Sequence, residues 1–353
     1  MTEQAAAVTT PVADEAPALP IATRILRATE HIDITHGRGL EIGPLCRPIV
    51  SKAEADVYYA DVIDTQALKD HYANDPNVAN DEIVDVDFAL TADGHVRRIA
   101  EAAAPAAPYD WLIASHVIEH VPDLVTFLND TAELLRDRGR LSLVVPDRRF
   151  CFDALRPGTT VGEILLAHRN GDTRPSVRAV FDHFYDAVSY DPSQLWRGIP
   201  ATPQDRLHTF AQATSMLERY EKTDEYLDSH TWLFTPSSLV AQLGTLARLG
   251  LLDYTVAAVS PTEPNDIEFF VTLERVPVGL SAQERADLIA GGFVDVIEHD
   301  LVVTESQVSA TPPEPPKPAQ PSGTAEMVVS EREQKLLLAK RKWLTRIRGI
   351  LHR

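Results

Sequence analysis

The sequence predicts an α/β fold: a doubly wound, mostly parallel seven-stranded sheet with a terminal antiparallel hairpin and a large cap insertion. Three observations carry this expectation. Between residues 39 and 145, short apolar or β-branched runs alternate with amphipathic stretches of helical length, as parallel βαβ units require. Two later runs, 252–259 and 267–275, are separated by only a few turn residues and should pair antiparallel. Between these parts, residues 148–229 are rich in aromatics, His, Asp and Arg and lack strand periodicity.

The elements follow in order. A short helix is expected over Ala22–Glu30, then a first strand at Gly39–Ile42 that ends on Gly43. Asp56–Asp61 has the β-branched and aromatic content of a second strand, and Thr65–Tyr72 reads as a helix. Glu82–Phe88 is expected as the third strand and His95–Ala104 as a helix stopped by Pro105. Tyr109–Ser115 is an apolar run bounded by turn signals, hence a buried fourth strand. Pro122 suits the first turn of a helix over Pro122–Arg136, and Arg140–Val145 is a fifth strand ended by Pro146. Pro236–Leu249 and Ser281–Ala290 read as helices around the hairpin.

The expected organisation is a disordered Ala/Pro/Thr-rich leader at 1–20 and an α/β core at 21–150. An insertion covering the site follows at 151–230, and the core resumes at 231–290. Residues 291–330 form a Pro-rich linker, and 331–353 a basic amphipathic helix.

The chain has 353 residues and a formal net charge of −19, with 52 acidic against 33 basic side chains. Such a balance argues against a general nucleic-acid binder, which gains affinity by neutralising phosphates. Cys46 and Cys151 cannot build a disulfide framework, and no close Cys/His cluster suggests structural zinc. Glu3 stands where a secretory signal would carry positive charge, and no run of eighteen apolar residues occurs. A cytoplasmic protein is expected.

The chemistry is expected at the carboxyl ends of the strands, where open α/β sheets bind ligands. The Gly37-Arg38-Gly39 triplet precedes the first strand, so it is in the wrong place for a dinucleotide fingerprint. Gly43 follows that strand and would let the backbone approach a ligand. Asp61, ending the second strand, is placed to accept both ribose hydroxyls of an adenosine, with Asp64 a nearby rival. Asp85 and Asp87 close the third strand, where a carboxylate can accept from an adenine amino group. The fourth strand runs into Ser115-His116-Val117-Ile118-Glu119-His120-Val121-Pro122.

Leu40-Glu41-Ile42-Gly43, the Asp61 strand, the Ser115–Pro122 segment and Leu134-Leu135-Arg136-Asp137-Arg138-Gly139-Arg140-Leu141 together resemble the class I S-adenosylmethionine (SAM)-dependent methyltransferases. The nearest likeness is to small-molecule, type 11-like members whose fourth strand runs into a His-x-x-Glu-His turn. The resemblance covers roughly residues 37–150 and, more loosely, the hairpin near 252–275. It implies a Rossmann-like fold, SAM as cofactor and a small-molecule acceptor. It also implies that Glu41 and Gly43 form the cofactor turn, Asp61 holds the ribose, Asp87 sits by the adenine, and Ser115 and His116 line the methionine end. Pro44, Leu45 and Cys46 replace the further glycines usual after the first strand.

Methyl transfer to a hydroxyl needs a base near neutral pKa, and His183, His230 and His116 are the candidates. Asp147, Arg148 and Arg149 are expected to bind the acceptor, because Arg forks suit carboxylate, phosphate or vicinal hydroxyls. The alternative pairs those cations with Asp147 and Asp153. A sugar acceptor in polysaccharide or glycolipid biosynthesis fits a polar and aromatic insertion. No metal is expected: His116, Glu119 and His120 would need a helix to converge, and Pro122 follows at once. A catalytically silent methyltransferase-like binding module is the competing function.

In the segment 331–353, eight Lys/Arg face two Glu, and Leu336, Leu337, Trp343, Leu344, Ile347, Ile350 and Leu351 recur at helical spacing. This pattern predicts salt-sensitive attachment to an anionic membrane at its inner face, or docking on a partner protein.

Overall fold

The structure is a computed structural model, and it describes residues 21–293 except 77, 93, 94, 224 and 225. The expected leader, the basic amphipathic helix and the Pro-rich linker beyond residue 293 therefore lie outside the described residues; residues 291–293, expected in that linker, continue a helix whose Phe293 is buried in the core. Among the described residues, no helix is long and apolar enough to cross a membrane.

The chain opens with α1 (Ile21–Thr29), followed by β1 (Arg38–Ile42), β2 (Asp56–Asp61) and α2 (Thr65–Tyr72). Next come β3 (Phe88–Ala89), the small ribbon β4 (Thr91–Ala92) and β5 (His95–Val96), then α3 (Ile99–Ala102). β6 (Tyr109–Ser115), α4 (Leu124–Leu134) and β7 (Leu135–Pro146) complete the first half. The insertion holds α5 (Val161–Asn170), α6 (Val177–Asp186), α7 (Pro192–Trp196) and α8 (Phe210–Lys222). α9 (Pro236–Arg248), β8 (Tyr254–Ser260) and β9 (Glu268–Arg275) close the sheet.

The seven main strands are ordered β3-β2-β1-β6-β7-β9-β8. β9 alone runs against its neighbours, pairing antiparallel with both β7 and β8. The strand order reverses direction beside β1 and β6, so a crevice forms at their carboxyl ends, the usual ligand position in such sheets.

Alternation along each central strand divides its side chains between two apolar layers. Leu112 and Ala114 of β6, with Leu141 and Leu143 of β7, join α4, α5 and α9 in the larger core. Trp111 and Ile113 face the opposite side, where Ala28 of α1 and Ile32 cover them. Gly39 shows why the early Gly-x-Gly exists: a Cβ there would sit 2.1 Å from the Trp111 ring. Gly39 makes room for an indole.

Several boundaries shift for physical reasons. The third strand is only Phe88–Ala89, because the preceding backbone is used elsewhere. Val84 N–H donates to the Leu45 carbonyl at 2.9 Å and Val86 N–H to Thr65 Oγ1 at 2.8 Å. α4 starts after Asp123, whose carboxylate accepts from Thr126 N–H at 3.0 Å, so this cap displaces Pro122 from the first turn. The expected helix at His95–Ala104 shortens to α3 after the β5 strand. α5 lies within 151–230 yet buries Ile164 and Ala167 in the main core, while α6 and α8 pack on each other around Val180 and Tyr220.

Candidate active site

Three strand tips form the site. At the tip of β1, Gly43 takes a positive φ of 71°, and its N–H donates to the Ala60 carbonyl at 2.8 Å. A Cβ there would press on Val117 at 3.1 Å, so glycine keeps the passage between β1 and β6 open. Glu41 does not reach that passage. Its buried carboxylate accepts from the amides of Ile49 at 2.7 Å and Val50 at 3.1 Å, closing the loop back on β1. Desolvation pushes its pKa up to about 7 despite those two donors. Glu41 thereby shapes the loop that stands where further glycines were missing.

Asp61 ends β2 with its carboxylate accepting from the adjacent Val62 amide at 2.7 Å. Among the described residues no cation lies in ion-pair contact with it. Burial pushes its pKa up to about 6. A desolvated carboxylate with spare acceptor sites suits a vicinal diol, which brings two donors and no charge. Asp64, the rival, caps α2 by accepting from Ala67 N–H at 2.9 Å. Asp87 differs from Asp61 in that each oxygen has a partner from elsewhere in the chain: Lys52 Nζ reaches one at 2.8 Å and the Tyr59 amide the other at 2.8 Å. Both oxygens thus tie β2 to the segment before β3.

The tip of β6 is the richest. Ser115 Oγ accepts from Arg24 Nη2 at 2.6 Å, which α1 swings across the strand ends. His116 follows in a left-handed backbone, φ 52°, a conformation unfavourable for a side chain of this size. Its ring is about one-third exposed, with Nε2 on Glu268 Oε2 at 2.7 Å and Nδ1 3.4 Å from Glu119 Oε1. Burial alone would raise the Glu268 pKa. The His116 hydrogen bond and the Arg24 charge, with Arg24 Nε at 2.7 Å, outweigh it and hold the group below its ordinary value.

The end of the insertion closes onto this tip. The Thr231 amide donates to the Glu119 carbonyl at 2.6 Å, and the Trp232 indole N–H donates to the Val121 carbonyl at 2.7 Å. His230 is buried, with Nδ1 on Asp153 Oδ2 at 2.6 Å. Asp153 also accepts from Arg156 Nη1 at 2.6 Å. Burial would raise the Asp153 pKa, but the charge and hydrogen bond of His230, with Arg156, hold it well below the usual carboxylate range. His183 is also buried, and its Nδ1 accepts from the His230 amide at 3.2 Å. This contact makes His183 a support for the His230 backbone. Of the three expected bases, only His116 combines exposure with a place at a strand tip.

The turn expected to bind the acceptor pairs its charges within the chain. Asp147 is fully buried and its carboxylate is saturated by Arg149, with Nη2–Oδ2 at 2.6 Å, and by Thr262 Oγ1 at 2.7 Å. Arg148 Nη1 donates to the Arg156 carbonyl at 2.9 Å. The pairing of Arg149 with Asp147 matches the alternative weighed from sequence, but Asp153 takes Arg156 in place of Arg148.

Sequence reasoning missed Arg24, Glu119 as a side chain of the site, Asp153, Asp228 and Glu268. For Glu268 a signal existed. An antiparallel strand begins at the edge where its parallel neighbours end, and β9 pairs Glu268 with Pro146. No comparable signal pointed to Arg24.

A family model described as a methyltransferase domain matches residues 19–243, more than half the chain. No curated protein is similar enough to count as a match. Among solved structures, a SAM-dependent methyltransferase of Thermotoga maritima is 12% identical, covering 72% of this chain and 88% of its own, with a TM-score of 0.32. A protein of Rhodobacter sphaeroides described as a Zn-dependent alcohol dehydrogenase is 12% identical over 72% of this chain and 89% of its own, TM-score 0.38. Magnesium protoporphyrin IX methyltransferase of Synechocystis, solved with bound SAM, is 9% identical over 72% and 77%, TM-score 0.31. The family match spans every strand tip just described up to β7 and reaches through the insertion into α9, so this chain belongs to the class I SAM-dependent methyltransferases.

Proposed function

We propose that the protein methylates a hydroxyl of a neutral, polyhydroxylated small acceptor, a sugar being the best fit. Gly43 would lie against the adenosine and Asp61 would hold its ribose, with residues 115–116 facing the methionine end. SAM, when bound, supplies a methyl group on a positively charged sulfur. Displacement at that methyl needs alignment above all, with reacting atoms about 3–3.5 Å apart.

The observation that carries the reading is His116 at the tip of β6. Its Nε2 is engaged by Glu268, which leaves Nδ1 as the ring atom directed toward Glu119. An acceptor hydroxyl placed there would pass its proton to Nδ1, and the flanking carboxylates would share the positive charge the ring gains. Neutrality of the acceptor is supported by the 147–149 turn, where Arg149 is spent on Asp147 and Arg148 on a carbonyl. Polysaccharide or glycolipid assembly is the setting that the basic 331–353 segment suggests.

The test is release of S-adenosylhomocysteine (SAH) from SAM with panels of neutral glycosides, sugar nucleotides, amines and phenols. Turnover on neutral glycosides is expected. Turnover confined to amines would overturn the reading, and cofactor binding without transfer to any class would favour a binding module.

A further inference from the structure

Glu119 presents an unanswered problem in electrostatics. Its side chain is fully buried, and neither carboxylate oxygen accepts a hydrogen bond among the described residues. Burying a carboxylate in this way is costly unless positive charge or a donor compensates it. What surrounds it is a set of imidazoles. His120 Nε2 lies 3.8 Å from Glu119 Oε1, and donor atoms of Glu119, His120 and His230 all lie within 4.8 Å of one another.

Each of the two histidines is oriented from behind by a carboxylate. His120 Nδ1 is 2.7 Å from Asp228 Oδ1, and His230 Nδ1 is 2.6 Å from Asp153 Oδ2. A ring that donates Nδ1–H to a carboxylate keeps its lone pair on Nε2 and gains basicity, as metal-bound histidines backed by a carboxylate do. The two rings stand edge to face with centroids 4.7 Å apart, so they converge without stacking. Asp153 is fixed in turn by Arg156, and Arg156 also donates to the His230 carbonyl at 2.8 Å. The His230 ring is thus held from two sides.

From this geometry we infer that Glu119, His120 and His230 form a binding site for one divalent transition-metal ion of the zinc type. Two imidazoles and a carboxylate are a familiar three-ligand set for zinc, which keeps a further position for water or another oxygen. Tetrahedral ligands about 2.0–2.1 Å from one ion stand about 3.3–3.4 Å apart, so atoms now within 4.8 Å of one another would draw together by up to about 1.5 Å on binding. Mg²⁺ prefers oxygen ligands and would bind this nitrogen-rich set more weakly. The expectation of no metal rested on the helix that His116 and His120 would need to share an ion. The site dispenses with that helix because its third ligand, His230, arrives from the far end of the insertion.

The full chain, stripped with chelator and dialysed against Zn²⁺ at micromolar free concentration, should retain about one zinc per chain by elemental analysis. This readout needs neither cofactor nor acceptor, so it stands or falls apart from the proposed reaction. Glu119→Gln and His230→Asn should each weaken zinc retention at least tenfold, while His36→Ala, at an exposed histidine, should retain it. Far-UV circular dichroism and SAH binding report whether each variant keeps its fold, and His120→Asn replaces any variant that does not. Co²⁺ should give the visible absorption of a four- or five-coordinate site in the wild type and His36→Ala, and not in the ligand variants. No zinc retained by the wild type, or equal retention by folded ligand variants, would overturn the site and leave an imidazolium–carboxylate cluster.

Discussion

Asp61 and Asp147 both stand at the carboxyl end of a strand in one sheet, yet their circumstances are opposite. Asp61 accepts one adjacent amide and is otherwise left with acceptor capacity. Asp147 is buried under Arg149 and Thr262, with no room for a further donor. A carboxylate at a strand end becomes a receptor only when the protein leaves its lone pairs unspent. The β1–β2 edge leaves Asp61 unspent, whereas the edge beneath the insertion pairs its charges internally. His116 lies between these two regimes, with Nε2 on Glu268 and Nδ1 3.4 Å from Glu119 Oε1.

The largest effect should come from that junction. His116→Ala is expected to lower turnover on the true acceptor by about 10²–10⁴. Steady-state kinetics should show the loss in kcat, while SAH affinity measured by calorimetry stays within a few-fold. Unchanged kcat would mean that alignment alone carries the transfer.

Asp147→Asn should act on stability and spare acceptor recognition. Breaking a wholly buried ion pair costs about 3–5 kcal/mol. The Arg149 side chain keeps some solvent contact, so a smaller loss of about 2–3 kcal/mol is expected. Denaturant unfolding measures the loss. A raised KM at unchanged stability would instead return Asp147 to the acceptor.

A pH titration sharpens the contrast further. In the proposed role of Asp61, ribose hydroxyls would donate to its ionised form, and its pKa is pushed up to about 6. SAH affinity should therefore weaken as pH falls from 7 toward 5, and Asp61→Asn should flatten that dependence. Glu41 gives a smaller, opposite signature in stability. Its pKa is raised from 4.5 to about 7, so between those values the folded state binds more protons than the unfolded state. Its contribution is fully present below pH 4.5 and is lost as pH rises through 7. Glu41→Gln should reduce the fall in melting temperature over this window.

The sheet was legible because strand and helix periodicities are local, and so was the placing of Gly43 and Asp61, which needs only the ends of β1 and β2. Glu41 and Asp87 were located at the right edge, but their partners in the fold were not foreseen. Their partners, the amides of 49 and 50 and the Lys52 ammonium, are delivered by loop packing that no spacing encodes. The insertion was opaque for a stronger reason. His230 meets Asp153 and His120 meets Asp228 across 77 and 108 residues, and irregular chain carries no period from which such pairs can be read.

The contrast between spent and unspent carboxylates is tested most directly by calorimetric titration of SAH into the wild type, Asp61→Ala and Asp87→Ala. Charge-assisted hydrogen bonds worth about 1.5–3 kcal/mol predict a roughly tenfold to hundredfold loss for Asp61→Ala with its fold intact. Asp87→Ala, whose oxygens serve Lys52 and the Tyr59 amide, should change affinity less than about threefold while lowering the melting temperature. Full affinity in Asp61→Ala, with the loss appearing in a folded Asp87→Ala, would contradict the account.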